Sequence, residues 1–149
     1  CDRARVCLVE GNLRRPSLAR LFRLSPPQCL EERLALDRHQ PLAPWEVAEI
    51  TPSLHLLSVR PGARAQALVD GPAFQGCLDA LRNAGYRYIV IDGPEVLGIA
   101  DMNLIEEASD QVVLVAQGQV TRTSDLRQAA AQLSRGKLLG AVLLDSEGS

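Results

Sequence analysis

The sequence predicts an α/β fold, a doubly wound and mostly parallel sheet with helices on both faces. Short apolar runs alternate with longer amphipathic stretches along the 149 residues, an order typical of repeated strand–helix units. The runs are apolar at consecutive positions, as strands covered on both faces require. Hydrophobic residues make up 46% of the chain, which is enough for a core of ordinary size. We therefore expect one domain over residues 1–149.

Five apolar runs are the predicted strands. The first ends at Gly11-Asn12, a turn signal, and the third is closed by a carboxylate. A further segment, Trp45–Val47, is expected to edge the sheet. The five runs are Arg5–Glu10, Leu54–Val59, Tyr88–Asp92, Gln111–Ala116 and Leu138–Leu144.

The stretches between the strands are predicted helices. Pro16 suits the first position of a helix that continues to Phe22, and an apolar face is repeated at helical spacing after Pro72. Thr123 or Ser124 is the expected cap of the last helix. The predicted helical ranges are 16–22, 28–37, 63–69, 72–82, 101–108 and 123–133.

Composition excludes several functions. The 16 Lys and Arg against 18 Asp and Glu give a net charge of −2, so no nucleic-acid partner is expected. No apolar run is long enough for membrane insertion. The four cysteines form no CxxC pair, which disfavours a zinc site, and we interpret them as reduced thiols in a cytoplasmic protein.

Polar residues follow two of the predicted strands. Glu10 and Asn12 come after the first strand, and Asp92 closes the third. Ligands of doubly wound sheets bind beyond the carboxyl ends of the strands. Asp92 is compatible with two roles, holding a magnesium ion through water or capping the next turn, and the sequence leaves both open.

Three stretches together carry a family resemblance: Val9–Pro16, Tyr88–Pro94 and Ala100–Asp101. They resemble the Walker A′ and Walker B elements of the bacterial tyrosine kinases (BY-kinases) of capsule and exopolysaccharide biosynthesis. Those kinases are relatives of the partitioning and division-site ATPases, which share a deviant P-loop fold. The resemblance runs over about residues 5–145 and implies a P-loop NTPase-like fold without its first strand–P-loop–helix unit.

The resemblance also implies roles for single residues. In an active protein, Glu10 and Asp92 would be catalytic, and Asp92 would hold magnesium through water. Asn12, Arg14 and Asp101 would bind the nucleotide. ATP and magnesium are the cofactors implied for an intact parent, whereas this chain alone is expected to bind none.

The sequence departs from the family pattern at the residues that the family uses for phosphate binding and catalysis. It contains no GxxxxGK[ST] motif, whose backbone amides and lysine hold phosphates. Glu10 and Asn12 replace the paired aspartates of the Walker A′ element. The family's kinases carry a tyrosine cluster, whereas this chain has Tyr86 and Tyr88, and Tyr88 is expected to be partly buried.

Two functions therefore remain open, and whether the chain is an enzyme is left undecided. The first is a degenerate, truncated kinase-like module that regulates or binds and does not hydrolyse ATP on its own. The second is a fragment of an active tyrosine autokinase or partitioning-type ATPase whose P-loop lies upstream of Cys1. Expected partners are a membrane-bound polysaccharide co-polymerase, which would recruit the chain to the inner membrane, or a kinase-like subunit.

Sheet pairing leads to one further expectation. In the family the P-loop strand lies inside the sheet, so its loss leaves neighbouring strands without a partner. Unpaired strand edges promote association. We therefore expect either that the remaining strands pair with one another across the gap or that the chain self-associates.

Overall fold

A computed structural model describes residues 4–25, 46–58 and 71–145. The chain divides into two compact units, Cys1–Pro94 and Glu95–Ser149. The expectation of one domain over residues 1–149 stays a prediction. The elements of the two units bear out the α/β class with a mostly parallel sheet.

The first unit is built on a four-stranded sheet in the order β2-β3-β1-β4. β1 is central and pairs in parallel with both β3 and β4, while β2 pairs antiparallel with β3. β2 lies just after the predicted edge segment, because the hairpin turn at Pro52-Ser53 sets its pairing with β3. The strands are β1 Val6–Glu10, β2 Ala48–Thr51, β3 Leu54–Leu57 and β4 Tyr88–Asp92.

Two helices of this unit are described, α1 Leu18–Leu21 and α2 Gly71–Asn83. The predicted apolar face of α2 is confirmed, since its buried residues recur at helical spacing. The predicted helices at 28–37 and 63–69 lie outside the described residues. The buried face of α2 consists of Phe74, Cys77, Leu78 and Leu81.

The second unit contains β5 Val112–Gln117 and β6 Leu138–Leu144, which pair in parallel as a two-stranded sheet. Its helices are α3 Asp101–Ala108 and α4 Thr123–Gln132. Leu114 and Ala116 are buried on one face of β5. Within the described ranges, no helix of either unit is long and apolar enough to cross a membrane.

The described strands form two separate sheets and do not pair into a single one. β4 pairs with β1 alone and β5 with β6 alone, so each leaves one edge unpaired within the described part of the chain. Tyr88 is 54% exposed and Val90 50% exposed. Tyr88, which was expected to be partly buried, is thus about half exposed, and the Arg87 guanidinium lies over its ring at 5.7 Å.

Candidate functional site

Glu10 is the last residue of β1, and its side chain is fully buried. One carboxylate oxygen, Oε2, accepts hydrogen bonds from the backbone N–H groups of Ser17 (2.9 Å) and Leu18 (2.8 Å). These amides begin α1, where intrahelical acceptors are lacking. The Glu10 carboxylate therefore holds the start of α1 in place, a contact that its length makes possible.

The loop between β1 and α1 is tied down at several points. The Gly11 N–H donates to the Asp92 backbone carbonyl at 2.8 Å, which joins the loop to β4. The Asn12 side-chain oxygen accepts from the Arg15 N–H at 3.2 Å, forming a local turn. Leu13 is 5% exposed and anchors the loop in the core. The Asn12 amide oxygen thus has a structural partner within its own loop.

Asp92 stands beside Glu10, because the two residues are register partners at the carboxyl ends of β4 and β1. Burial raises the pKa of the Asp92 carboxyl above its usual value. Burial also raises the pKa of the Glu10 carboxyl, and the charge of Asp92 adds to that effect, while the Leu18 and Ser17 amides oppose it. The register places these two acids side by side, whereas their catalytic role stays a prediction.

The structure places each of the other predicted site residues on an element of its own unit. Arg14 is exposed on the β1–α1 loop, at the same end of the sheet as Asp92. Asp101 begins α3 in the second unit. The sequence did not single out Ser58, which follows β3 and is fully buried. The signal that could have identified Ser58 is its position directly after the apolar residues of β3.

Two buried polar atoms at this end of the sheet have no hydrogen-bond partner among the described residues, Glu10 Oε1 and Ser58 Oγ. They follow the paired residues Val9 and Leu57 of adjacent strands. Buried polar groups of this kind are commonly satisfied by an internal water. The site therefore contains two buried oxygen atoms that could still form hydrogen bonds, one of them on Glu10 itself.

The described residues do not form a protein-built magnesium site. They contain no group of three or more His, Cys, Asp or Glu side chains that could hold a metal ion. Glu10 Oε2 already accepts two amides, and Asp92 is the more exposed, only partly buried carboxylate of the pair. An octahedral magnesium shell would have to come mainly from water and phosphate oxygens.

Comparison with solved structures gives close matches to kinase domains. The VpsO kinase domain superposes with a TM-score of 0.77 and 26% identity, over 95% of this chain and 70% of that one. This chain has the fold of the bacterial tyrosine kinase domains. The Escherichia coli tyrosine kinase ETK matches with a TM-score of 0.76 and 18% identity, over 98% of this chain and 57% of its own.

The same fold extends to the ATPases that the sequence pointed to. A ParA family ATPase from Chlorobium tepidum matches with a TM-score of 0.67 and 18% identity, over 95% of this chain and 60% of its own. No protein-family model and no curated protein matches the chain. The predicted resemblance to the BY-kinases and their deviant P-loop relatives is thus confirmed by structure.

Proposed function

We propose that this chain is a kinase-like domain of a capsule or exopolysaccharide biosynthesis and export system, acting as a binding or regulatory module that does not hydrolyse ATP on its own. The fold supports the kinase-like part. The proposed lack of ATP hydrolysis rests on the burial and the hydrogen bonds of Glu10. The acid that the resemblance aligns with the Walker A′ element is buried and hydrogen-bonded to the start of α1, so its carboxylate serves the fold.

The chain's single lysine supports the same proposal. Phosphoryl transfer in P-loop proteins uses a lysine that reaches the β and γ phosphates. Lys137 donates instead to the backbone carbonyls of Glu106 at 2.6 Å and Glu107 at 3.0 Å. This lysine closes the C-terminal end of α3, and the sequence offers no other.

The proposed partners follow from the family resemblance. A module of this kind would bind a membrane-bound polysaccharide co-polymerase or a kinase-like subunit, and such a partner would bring it to the inner membrane. Binding to a partner needs an intact surface and no nucleotide chemistry. The exposed loop that carries Arg14 and Arg15 is a candidate contact, since it is fixed to the sheet through Gly11 and Leu13.

An alternative is favoured by one observation. The chain spans 57% of ETK and 70% of VpsO, so both neighbours contain residues without a counterpart here. A longer parent with a P-loop upstream of Cys1 would be a magnesium- and ATP-dependent tyrosine autokinase or a partitioning-type ATPase. In that parent Asp92 would hold the magnesium ion through water, and magnesium would supply charge stabilisation to the phosphates.

Activity assays separate the two functions. We expect the 149-residue chain to show no ATP hydrolysis and no tyrosine phosphorylation above buffer with magnesium present. The same assays on the product of the complete parent gene test the alternative. Turnover by the chain alone that the Asp92→Ala variant abolishes would contradict the proposed function.

A further inference from the structure

A left-handed turn joins α2 to β4. Gly85 has a φ of 87°, and its N–H donates to the Arg82 carbonyl at 3.0 Å, while the Tyr86 N–H donates to the Leu81 carbonyl at 3.3 Å. These two bonds form a Schellman motif, whose left-handed position favours glycine. The motif fixes Tyr86 directly after the helix, and this residue is buried, with 6% of its surface exposed.

Arg5 fastens this turn to the sheet from the position before β1. Its Nη1 donates to the Ala84 carbonyl at 2.8 Å, and its backbone carbonyl accepts from the N–H groups of Arg87 at 2.9 Å and Tyr88 at 3.3 Å. The guanidinium lies 4.4 Å from the centroid of the Tyr86 ring, a distance typical of cation–π contacts. The attachment of the turn therefore depends on where the Arg5 side chain lies.

His55 of β3 contacts the same ring. The His55 and Tyr86 ring centroids are 5.5 Å apart, with their planes at 78°, an edge-to-face arrangement. His55 is also the register partner of Cys7 on β1 and of Glu49 on β2. Its Nδ1 is buried and has no hydrogen-bond partner among the described residues. Because an imidazolium carries N–H groups on both nitrogens, protonation of His55 would leave a buried donor unsatisfied here.

Two charged groups act on His55. Burial is the main cause that lowers the pKa of His55 below its ordinary value of 6.5, the Arg5 charge lowers it further, and the exposed Glu49 carboxylate opposes both. A protonated His55 would add a second positive charge near Arg5, and like charges disfavour each other. The imidazole is therefore neutral while the cluster is intact at neutral pH.

Buried titratable side chains also come from β1, the turn and α2. They are Cys7, Tyr86 and Cys77. Burial raises the pKa of the Cys7 thiol to about 12 and also raises the pKa of the Tyr86 phenol. Histidine is the side chain whose ordinary pKa lies between about pH 5 and pH 8, so His55 controls the charge of the cluster in that range.

We propose that protonation of His55 works as a switch that displaces the Arg5 guanidinium from the Tyr86 ring and so releases the α2–β4 turn from the sheet. The imidazole takes its proton from solvent as it leaves the cluster, and water then accepts from both of its N–H groups. The guanidinium gives up the Ala84 carbonyl in the same step. The switch thus acts on the turn that leads into β4.

The pH dependence of the switch has a defined direction. Because the closed state disfavours the protonated imidazole, the released state becomes more populated as the pH falls below the ordinary His55 value of 6.5. The effect is complete once the pH lies below the pKa of His55 in the closed state. The backbone amides of Arg87 and Tyr88 report on the release, since both donate to the Arg5 carbonyl in the closed state.

Hydrogen exchange of the full chain, followed by NMR at about pH 7.5 and about pH 5.5, tests the proposal. We expect the protection factors of the Arg87 and Tyr88 amides to fall at least about threefold at the lower pH, whereas those of the β5 amides stay constant. His55→Gln should remove this fall, since glutamine does not titrate. His39→Gln, at the chain's other histidine, is the matched control and should behave as wild type does.

A second variant tests the charge balance without changing the ring contact. Glu49→Gln, at an exposed position, removes the carboxylate that favours the imidazolium, so the fall in protection should be larger than in wild type. This variant decides the question if His55→Gln does not fold, and a fall no larger than that of wild type would contradict the switch.

Three further results would overturn the proposal. The first is protection of the Arg87 and Tyr88 amides that does not change with pH in wild type. The second is an equal fall in His55→Gln, which would assign the effect to another group. The third is an equal fall at the β5 amides, which would show a loss of stability throughout the chain and not the release of one turn.

Discussion

Glu10 and Asp92 are register partners at the carboxyl ends of β1 and β4. Burial raises the pKa of both carboxyls, and the charge of Asp92 raises that of Glu10 further. Two like charges side by side at a partly dry sheet end disfavour ionisation of both. The pair therefore tends to hold a proton at a pH where ordinary carboxyls have lost theirs.

The stability of the chain should depend on the protonation of Glu10. Because the pKa is raised in the folded state, the native protein binds more protons than the unfolded chain as the pH rises above the ordinary value of 4.5. The contribution of Glu10 is present below that pH and is lost as the pH rises through the folded pKa. The Glu10→Gln variant removes this dependence while keeping an oxygen that can accept the Ser17 and Leu18 amides.

The effect is measured by urea unfolding of both proteins between about pH 4 and about pH 7, in steps of about one pH unit. The free energy of unfolding of wild type should fall relative to that of Glu10→Gln as the pH rises. A constant difference between the two proteins across this range would show that Glu10 does not titrate differently on folding.

The length of the Glu10 side chain should matter as much as its charge. Glu10→Asp is shorter by one methylene, so its carboxylate should lose the Ser17 and Leu18 amides and leave them unsatisfied. We expect a loss of about 1–3 kcal/mol in the free energy of unfolding, measured by urea denaturation at pH 7. Glu49→Asp, an exposed position on β2, is the matched control. Equal stability of Glu10→Asp and wild type would contradict the capping role.

The buried thiols should be unreactive in the native protein. Cys7 and Cys77 are fully buried and form no disulfide, and burial raises the pKa of the Cys7 thiol to about 12. Because the thiolate is the nucleophile, labelling of Cys7 by a maleimide at neutral pH should be at least about a hundredfold slower than in denaturant. Mass spectrometry of the labelled peptides gives the two rates. Equal rates would show that Cys7 is accessible in the folded chain.

Arg5 should stabilise the amino-terminal end of the sheet. Its guanidinium lies 4.4 Å from the centroid of the buried Tyr86 ring, and Nη1 donates to the Ala84 carbonyl at 2.8 Å. Arg5→Ala should lower the free energy of unfolding by about 1–2 kcal/mol in thermal or urea unfolding. Arg20→Ala, at an exposed position on α1, is the control, and a similar loss there would remove the specific role of Arg5.

Much of the fold could be predicted from the sequence because its signals are local. The apolar run Tyr88–Asp92 specifies a strand, and the structure confirms that strand. The helical spacing of Phe74, Cys77 and Leu78 specifies a helix and its buried face, and the structure confirms both. β2 was harder to place, because its four residues carry little pattern and their pairing depends on β3. The exposure of Tyr88 depends on which elements cover β4, and strand periodicity contains no such information.

The positions of Glu10 and Asp92 in the fold were predictable from the sequence, and their contacts were not. The position of Glu10 and Asp92 after apolar strands placed both at one end of the sheet, as the register confirms. That Glu10 turns toward the Ser17 and Leu18 amides depends on where α1 begins in space. The bonds of Lys137 to the end of α3 likewise join residues about thirty positions apart, beyond the reach of any spacing rule.

Nucleotide affinity tests the central claim, that this chain is a kinase-like fold without a phosphate site. The measurement is isothermal titration calorimetry of magnesium with ATP, and separately with ADP, into the purified chain and into its Asp92→Ala variant. We predict no detectable heat of binding for either protein. Micromolar binding by wild type that Asp92→Ala abolishes would contradict the claim and would establish a phosphate site that works without a P-loop.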